Sequence, residues 1–312
     1  MKTNALPDAP TLELPYWIAD VFTDRALSGN PLAVFPDAPE LSDARMQAIA
    51  RELNLSETVF VRPARNAMHS CALRIFTPGT ELPFAGHPTV GTALVLATLD
   101  KLPNSVRSGA TLSLIFEEGV GPIPVTVRLD GQHPVFAQFT AARVPELAPA
   151  ATPAQLAAML SLDAADIGAT LDGRELTPAV ASCGVPFTCV PLRSLDALAR
   201  ARLNVAAVSA HQQFYLYVPT GDVDFRARMF ANDFGIAEDP ATGSAAAALT
   251  GVLAAHELRT TGTLQWRITQ GVEMGRPSLI EIEADKLAGK VTATRVGGSA
   301  VIVGRGQLAL PD

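Results

Sequence analysis

His87-Pro88-Thr89-Val90-Gly91-Thr92-Ala93 and Asp239-Pro240-Ala241-Thr242-Gly243-Ser244-Ala245 read as two copies of one helix entrance, one in each half of the chain. Each places a polar residue at the N-cap, Pro at the first helical position and Gly-Thr or Gly-Ser before an apolar run, which is how a helix begins. The run from Ala245 to Ala255 is almost entirely small and apolar. A helix without a polar face belongs inside the molecule. Both entrances are therefore expected to be buried, with unpaired N–H groups available to an anion, and two such ends facing each other would make a carboxylate site.

Outward from these motifs the two halves keep step. Arg74-Ile75-Phe76 precedes the first and Arg228-Met229-Phe230 the second, while Gly29-Asn30-Pro31-Leu32-Ala33-Val34-Phe35 resembles Gly184-Val185-Pro186-Phe187-Thr188-Cys189-Val190. From that glycine to the polar N-cap residue is 58 positions in one half and 55 in the other. Between them Thr58-Val59-Phe60-Val61-Arg62-Pro63 lies opposite Phe214-Tyr215-Leu216-Tyr217-Val218-Pro219, a strand ending at proline in each case. Short Pro/Gly motifs recur by chance in an Ala-rich chain, but ordered agreement at three places favours a genuine repeat.

The chain has 312 residues, enough for two domains with their own cores. Its net charge of −7 supplies no electrostatic footprint for nucleic acid, and no Lys/Arg cluster suggests a lipid surface. A small molecule is the expected partner. Met1 to Pro10 has no apolar core of a signal peptide and no apolar run approaches membrane-spanning length. Cys71, Cys183 and Cys189 are too few and odd in number for a disulfide framework, so a reduced, cytoplasmic location is expected.

Strand patterns occur at 16–21, 32–35, 58–62, 72–76, 111–116, 125–129 and 135–139, with helical stretches at 42–53 and 88–99. The Pro/Ala-rich segment 141–153 reads as a linker. Helical patterns follow at 153–160, 195–201 and 240–257, then strands at 263–269, 279–284, 290–296 and 300–308. This mixture predicts an α+β fold, not strictly alternating β–α units. Two halves are expected, 1–140 and 141–299, each a mostly antiparallel curved sheet around its apolar helix. The last strand, about 300–312, is expected to cross back to the first half, and the cleft to lie at the two helix starts.

Glu57, in Asn54-Leu55-Ser56-Glu57-Thr58-Val59-Phe60, directly precedes an apolar strand. A desolvated carboxyl there would have the raised pKa that a carbon acid demands of its general base. A capping or surface glutamate is the plainer alternative, and its counterpart in the repeat is Gln213. His87 follows Gly86, which permits close backbone approach, and an imidazole at a helix N-terminus tends to be neutral. Simple capping would also explain His87 and Asp239, although their matched positions favour function. His69, His133, His211 and His256 show no metal-ligand spacing, so no metal is expected. Ser244, His87 and Asp239 form a hydrolase triad only by inventory, since no Gly-x-Ser-x-Gly occurs. Nucleotide-binding loops are likewise absent, and Cys183 and Cys189 fit buried packing.

Asp20-Val21-Phe22-Thr23, Gly29 to Val34, Leu55 to Phe60, Phe84-Ala85-Gly86-His87-Pro88-Thr89 and Glu238 to Ala245 together resemble the phenazine-biosynthesis PhzF-like family, from about Tyr16 almost to the carboxyl end. The resemblance implies the diaminopimelate epimerase fold and a homodimer. It also implies a cofactor-independent isomerase of trans-2,3-dihydro-3-hydroxyanthranilate, with Glu57 as general base and His87 and Asp239 in the proton path. Asn30, Gly86, Gly243 and Ser244 would surround the substrate, with its carboxylate on the backbone amides of the second helix start. The related epimerases use one cysteine at each helix start, and neither motif here contains Cys. Competing expectations are an epimerase or tautomerase of another carboxylate metabolite, a metabolite-binding protein of the same fold, and a Ser244 hydrolase.

Overall fold

Gly86–Thr98 and Gly243–His256 are the two predicted apolar helices, and both are buried from their first residue. The computed structural model describes residues 11–38, 41–209, 212–221, 224–231 and 237–311; the amino-terminal ten residues and His211 lie outside that set. Having no polar face, each helix can persist in water only if sheet covers it on all sides. The first packs against strands from both ends of its ladder, including Thr11–Val21, Asn30–Phe35, Gly121–Asp130 and His133–Thr140, so the sheet wraps it. The fold is α+β and dominated by sheet.

Strand burial follows from what covers each face. In Gly121–Asp130, buried Ile123, Val125, Val127 and Leu129 alternate with exposed residues, the period of a strand with one face on the core. Glu57–Arg62 is buried over its first five residues. Its outer face carries Phe60, which joins Phe35, Phe76, Met46 and Ile49 under the helix Asp43–Leu53, while Val59 and Val61 face the central helix. The same alternation turns Glu57 inward. In the second half Phe214, Leu216 and Val218 lie beneath Pro153–Leu160 and Leu195–Arg200, and Tyr215 and Tyr217 face the core.

The ladders match pair by pair. Asn30–Phe35 runs parallel to Glu57–Arg62, as Pro186–Pro191 does to Gln213–Pro219. Each second member pairs antiparallel with the next strand, Thr58 opposite Phe76 and Phe214 opposite Phe230. Glu57 and Gln213 therefore occupy equivalent positions, as the sequence suggested. The last strand, Ala300–Pro311, runs antiparallel to Thr11–Val21, and His133–Thr140 pairs with Lys290–Gly298.

Two expectations are corrected. The segment 141–153 is not simply a linker: Glu146–Pro149 forms an exposed strand on Ala179–Ser182, where an edge position tolerates Pro149. The helix entrances also superpose differently. Ile75 pairs with Leu82 and Phe76 with Glu81, as Met229 pairs with Asp239 and Phe230 with Glu238. Arg74 and Arg228 bind Glu81 and Glu238 in the same way. Glu81-Leu82-Pro83-Phe84-Ala85-Gly86-His87 is thus the counterpart of Glu238-Asp239-Pro240-Ala241-Thr242-Gly243-Ser244. The N-caps are Ala85 and Thr242, not His87 and Asp239. Pro88 sits inside the first turn, where its missing N–H costs nothing, and Pro240 lies before the helix. His87 corresponds to Ser244.

Candidate active site

The two helix starts meet glycine to glycine. A Cβ added to Gly86 would stand 2.7 Å from the Gly243 Cα, and one added to Gly243 would stand 2.9 Å from the Gly86 Cα. Neither N-cap residue makes a side-chain capping bond, so the first-turn N–H groups of both helices are left to other acceptors. Beside this junction lies a cavity of about 260 Å³ whose wall includes Glu57, Asp239, Ser244, Thr242 and Gln213. Among the described residues no Lys or Arg lines it. An anion entering would depend on the helix ends for its countercharge.

Behind the wall the expected polar residues join. Asn30, fully buried at the start of its strand, donates from Nδ2 to Asp239 Oδ1 at 2.8 Å and to the Ala241 carbonyl at 2.9 Å. The same nitrogen lies 3.2 Å from His87 Nδ1. On the other side of the ring, His87 Nε2 is 3.2 Å from Glu57 Oε2 without hydrogen-bond alignment. Glu57, Asp239 and Ser244 reach the cavity; Asn30, Gly86, His87 and Gly243 stand behind its wall. Asn30, expected around the substrate, is bonded to Asp239.

Burial governs the charges. It pushes the His87 imidazole down to about 3, against a smaller upward pull from the Pro31 carbonyl. Burial, then the neighbouring Asp239 charge, holds the Glu57 carboxyl well above its ordinary range. The His87–Glu57 contact at neutral pH therefore involves a neutral imidazole and is not an ion pair. Asp239 is also raised by burial, to about 6, but Thr242 Oγ1 donates to its Oδ2 at 2.6 Å and, with Asn30, favours its ionised form. Two buried carboxyls within reach of each other's charge titrate as a pair, the charge on one raising the proton affinity of the other.

Sequence reasoning missed the residues that hold this arrangement. Gln270 accepts from the Thr242 N–H and the Tyr215 hydroxyl, and donates to the Asp239 carbonyl and Thr242 Oγ1. Arg276 donates to the Gly29 and Ser28 carbonyls and to Asp20 Oδ1 at 2.6 Å, fixing the turn before Asn30. Gly29 there has φ +63°, and an added Cβ would strike the Val21 carbonyl at 2.2 Å. A polar residue closing the inward-facing series Leu264, Trp266 and Ile268 was the available signal for Gln270. All three cysteines are free, with Cys71 and Cys189 buried.

The family model for phenazine biosynthesis-like protein matches residues 19–306. An uncharacterized isomerase of Mesorhizobium japonicum is 43% identical over 307 residues, covering 94% of this chain and 98% of the relative. The trans-2,3-dihydro-3-hydroxyanthranilate isomerase of Pseudomonas chlororaphis is 36% identical, covering 95% and 99%. The crystal structure of a PhzF-family phenazine biosynthesis protein of Bacillus anthracis superposes with a TM-score of 0.80 at 23% identity, covering 95% and 99%, and shows the same fold. The chain belongs to the phenazine biosynthesis-like family and is an isomerase.

Proposed function

We propose that this isomerase moves a proton, and with it a double bond, within a small cyclic carboxylate such as trans-2,3-dihydro-3-hydroxyanthranilate, using Glu57 as general acid/base and no cofactor. The observation that carries the proposal is the placing of two buried carboxyls, Glu57 and Asp239, on the wall of one cavity where burial raises the proton affinity of both. With a proton on Asp239, ionised Glu57 has the high proton affinity needed to take hydrogen from carbon. The C–H electrons shift into the conjugated system, and the proton returns to a different carbon from Glu57 or through His87 or Asp239. The substrate carboxylate rests against the helix ends, Ser244 included, and water is excluded while charge develops.

The supporting likeness extends over 95% of the chain, and the named substrate is that of the Pseudomonas chlororaphis relative. The same reading assigns residues 1–140 with the last strand to one half and 141–299 to the other, in a cytoplasmic homodimer. The test is incubation with trans-2,3-dihydro-3-hydroxyanthranilate in deuterated buffer, followed by proton NMR, with Glu57→Gln alongside. Deuterium uptake and substrate loss with wild type alone supports both substrate and base. Exchange by Glu57→Gln at the wild-type rate removes Glu57 from the role, and no reaction with either protein points to another carboxylate.

A further inference from the structure

Glu118 is a buried acid, 7% exposed, that the proton transfer does not use. The ladders identify its counterpart. Cys71 pairs with Phe116 and Ala72 with Glu117 on parallel strands, as Phe225 pairs with Ile268 and Arg226 with Thr269. Glu118 therefore occupies the position of Gln270. Both face an N-cap residue of a central helix: Gln270 Oε1 accepts the Thr242 N–H, and the Ala85 N–H is directed at Glu118. Gln270 meets its surroundings with both a donor and an acceptor, which an ionised glutamate cannot do and a protonated one can.

Thr89 shows which form the surroundings require. Its Oγ1 lies 2.8 Å from the Ala85 carbonyl and 2.7 Å from Glu118 Oε1. A hydroxyl has one proton to give. In the other central helix Thr250 spends its proton on the Ala246 carbonyl four residues back. If Thr89 does the same, the proton between Thr89 and Glu118 must come from Glu118.

We propose that Glu118 is a positioning residue for the anion site: as a neutral acid it braces the first helix start as Gln270 braces the second, and its proton is coupled to anion binding at the helix ends. Ionised, it would place a negative charge at the same helix N-terminus that the substrate carboxylate needs, and the two would compete. On the anion side no Lys or Arg among the described residues lines the cavity, while Glu118 itself borders the outer groove. Burial raises Glu118 to about 8; the Ala85 N–H and Thr89 pull the other way, Thr89 only when it turns its one proton from the Ala85 carbonyl to an ionised Glu118. Around it, Cys71 feels its charge, Glu117 adjoins it, and Arg65, His69, Arg74 and Glu81 line the groove outside. Arg74 is bound to Glu81, and His69 to Glu117.

The proposal rests on the carboxylate-binding role of the helix ends and is tested with anthranilate as a non-reacting probe. Calorimetric titration from pH 7 to 9.5 should show wild-type affinity falling about tenfold, equivalent to one pKa unit of coupling, with proton uptake on binding near pH 8. Glu118→Gln should lose that dependence and bind more tightly than wild type at pH 9.5 by the same factor. Parallel decline of both proteins overturns the proposal. A ligand-free measurement separates its failure from that of the carboxylate reading: in protein labelled at glutamate δ-carbon, the resonance removed by Glu118→Gln or Glu118→Ala should be that of a protonated acid at pH 7. An ionised position overturns the proposal whether or not anthranilate binds. If wild type binds no anthranilate but the resonance is protonated, the carboxylate reading fails while the bracing role of Glu118 is supported.

Discussion

At the position of Glu57 the second half of the chain has Gln213, an amide whose burial carries no penalty that grows with pH. Glu57 differs because burial, with the Asp239 charge beside it, holds its native pKa well above the ordinary glutamate range. Its contribution to stability is complete below about 4.5 and is lost as pH rises from there through the raised native value. Glu57→Gln should therefore melt above wild type at pH 7 to 8, with the gap closing toward pH 4, while proton exchange is lost. The gap can widen by at most about 1.4 kcal/mol per pH unit. Thermal melts across that range check it, and a variant less stable at pH 8 contradicts the assignment. Asp239 sets the activity limb. Below about 6 the pair becomes doubly protonated and no base remains, so kcat/KM should fall about tenfold per unit on the acid side. A pH–rate profile flat from 5 to 7 would remove the pair from the reaction.

At the scale of elements, the facing helix starts depend on two absent side chains. Gly86→Ala would force its Cβ to 2.7 Å from the Gly243 Cα and 3.0 Å from the Ser244 nitrogen, backbone atoms that cannot swing away. The expected result is destabilisation of about 1–3 kcal/mol, the range of overpacked cores, with anthranilate affinity falling because the N-termini no longer converge. Urea unfolding and calorimetry check the two effects separately. How far this was legible depends on the period of each signal. The apolar helices, the strand from Thr58 and the Glu57–Gln213 equivalence follow from local patterns that burial enforces. The offset of His87 from Asp239 does not: Asp-Pro and His-Pro look alike as caps, and only the pairing of Glu81 and Glu238 with their strands reveals that Asp239 ends a strand. Gln270 and Arg276 escape for another reason. Each acts across more than two dozen residues of sequence, through contacts that the fold alone creates.

The whole molecule is joined at places far apart in sequence. The last strand lies on the first, His133–Thr140 on Lys290–Gly298, and Arg276 reaches the turn that delivers Asn30. Asn30 then bonds Asp239, so the two carboxyls of the pair come from opposite halves and are aligned through this tie. Arg276 is partly exposed while Asp20 is almost fully buried. Removing the guanidinium leaves the Asp20 carboxylate with the Leu27 N–H at 2.7 Å as its remaining hydrogen bond among the described residues. Stranding one member of a buried pair costs about 3–5 kcal/mol, and solvent access at Arg276 brings the expectation to about 2 kcal/mol. Arg276→Met should therefore lower stability by about that amount. It should also slow isomerisation more than the loss of stability explains, because the turn at Gly29 would no longer place Asn30 against Asp239. Denaturant unfolding, with deuterium exchange measured well below the melting temperature, separates these effects. Destabilised protein exchanging at the wild-type rate would mean that Asp239 is aligned without the tie.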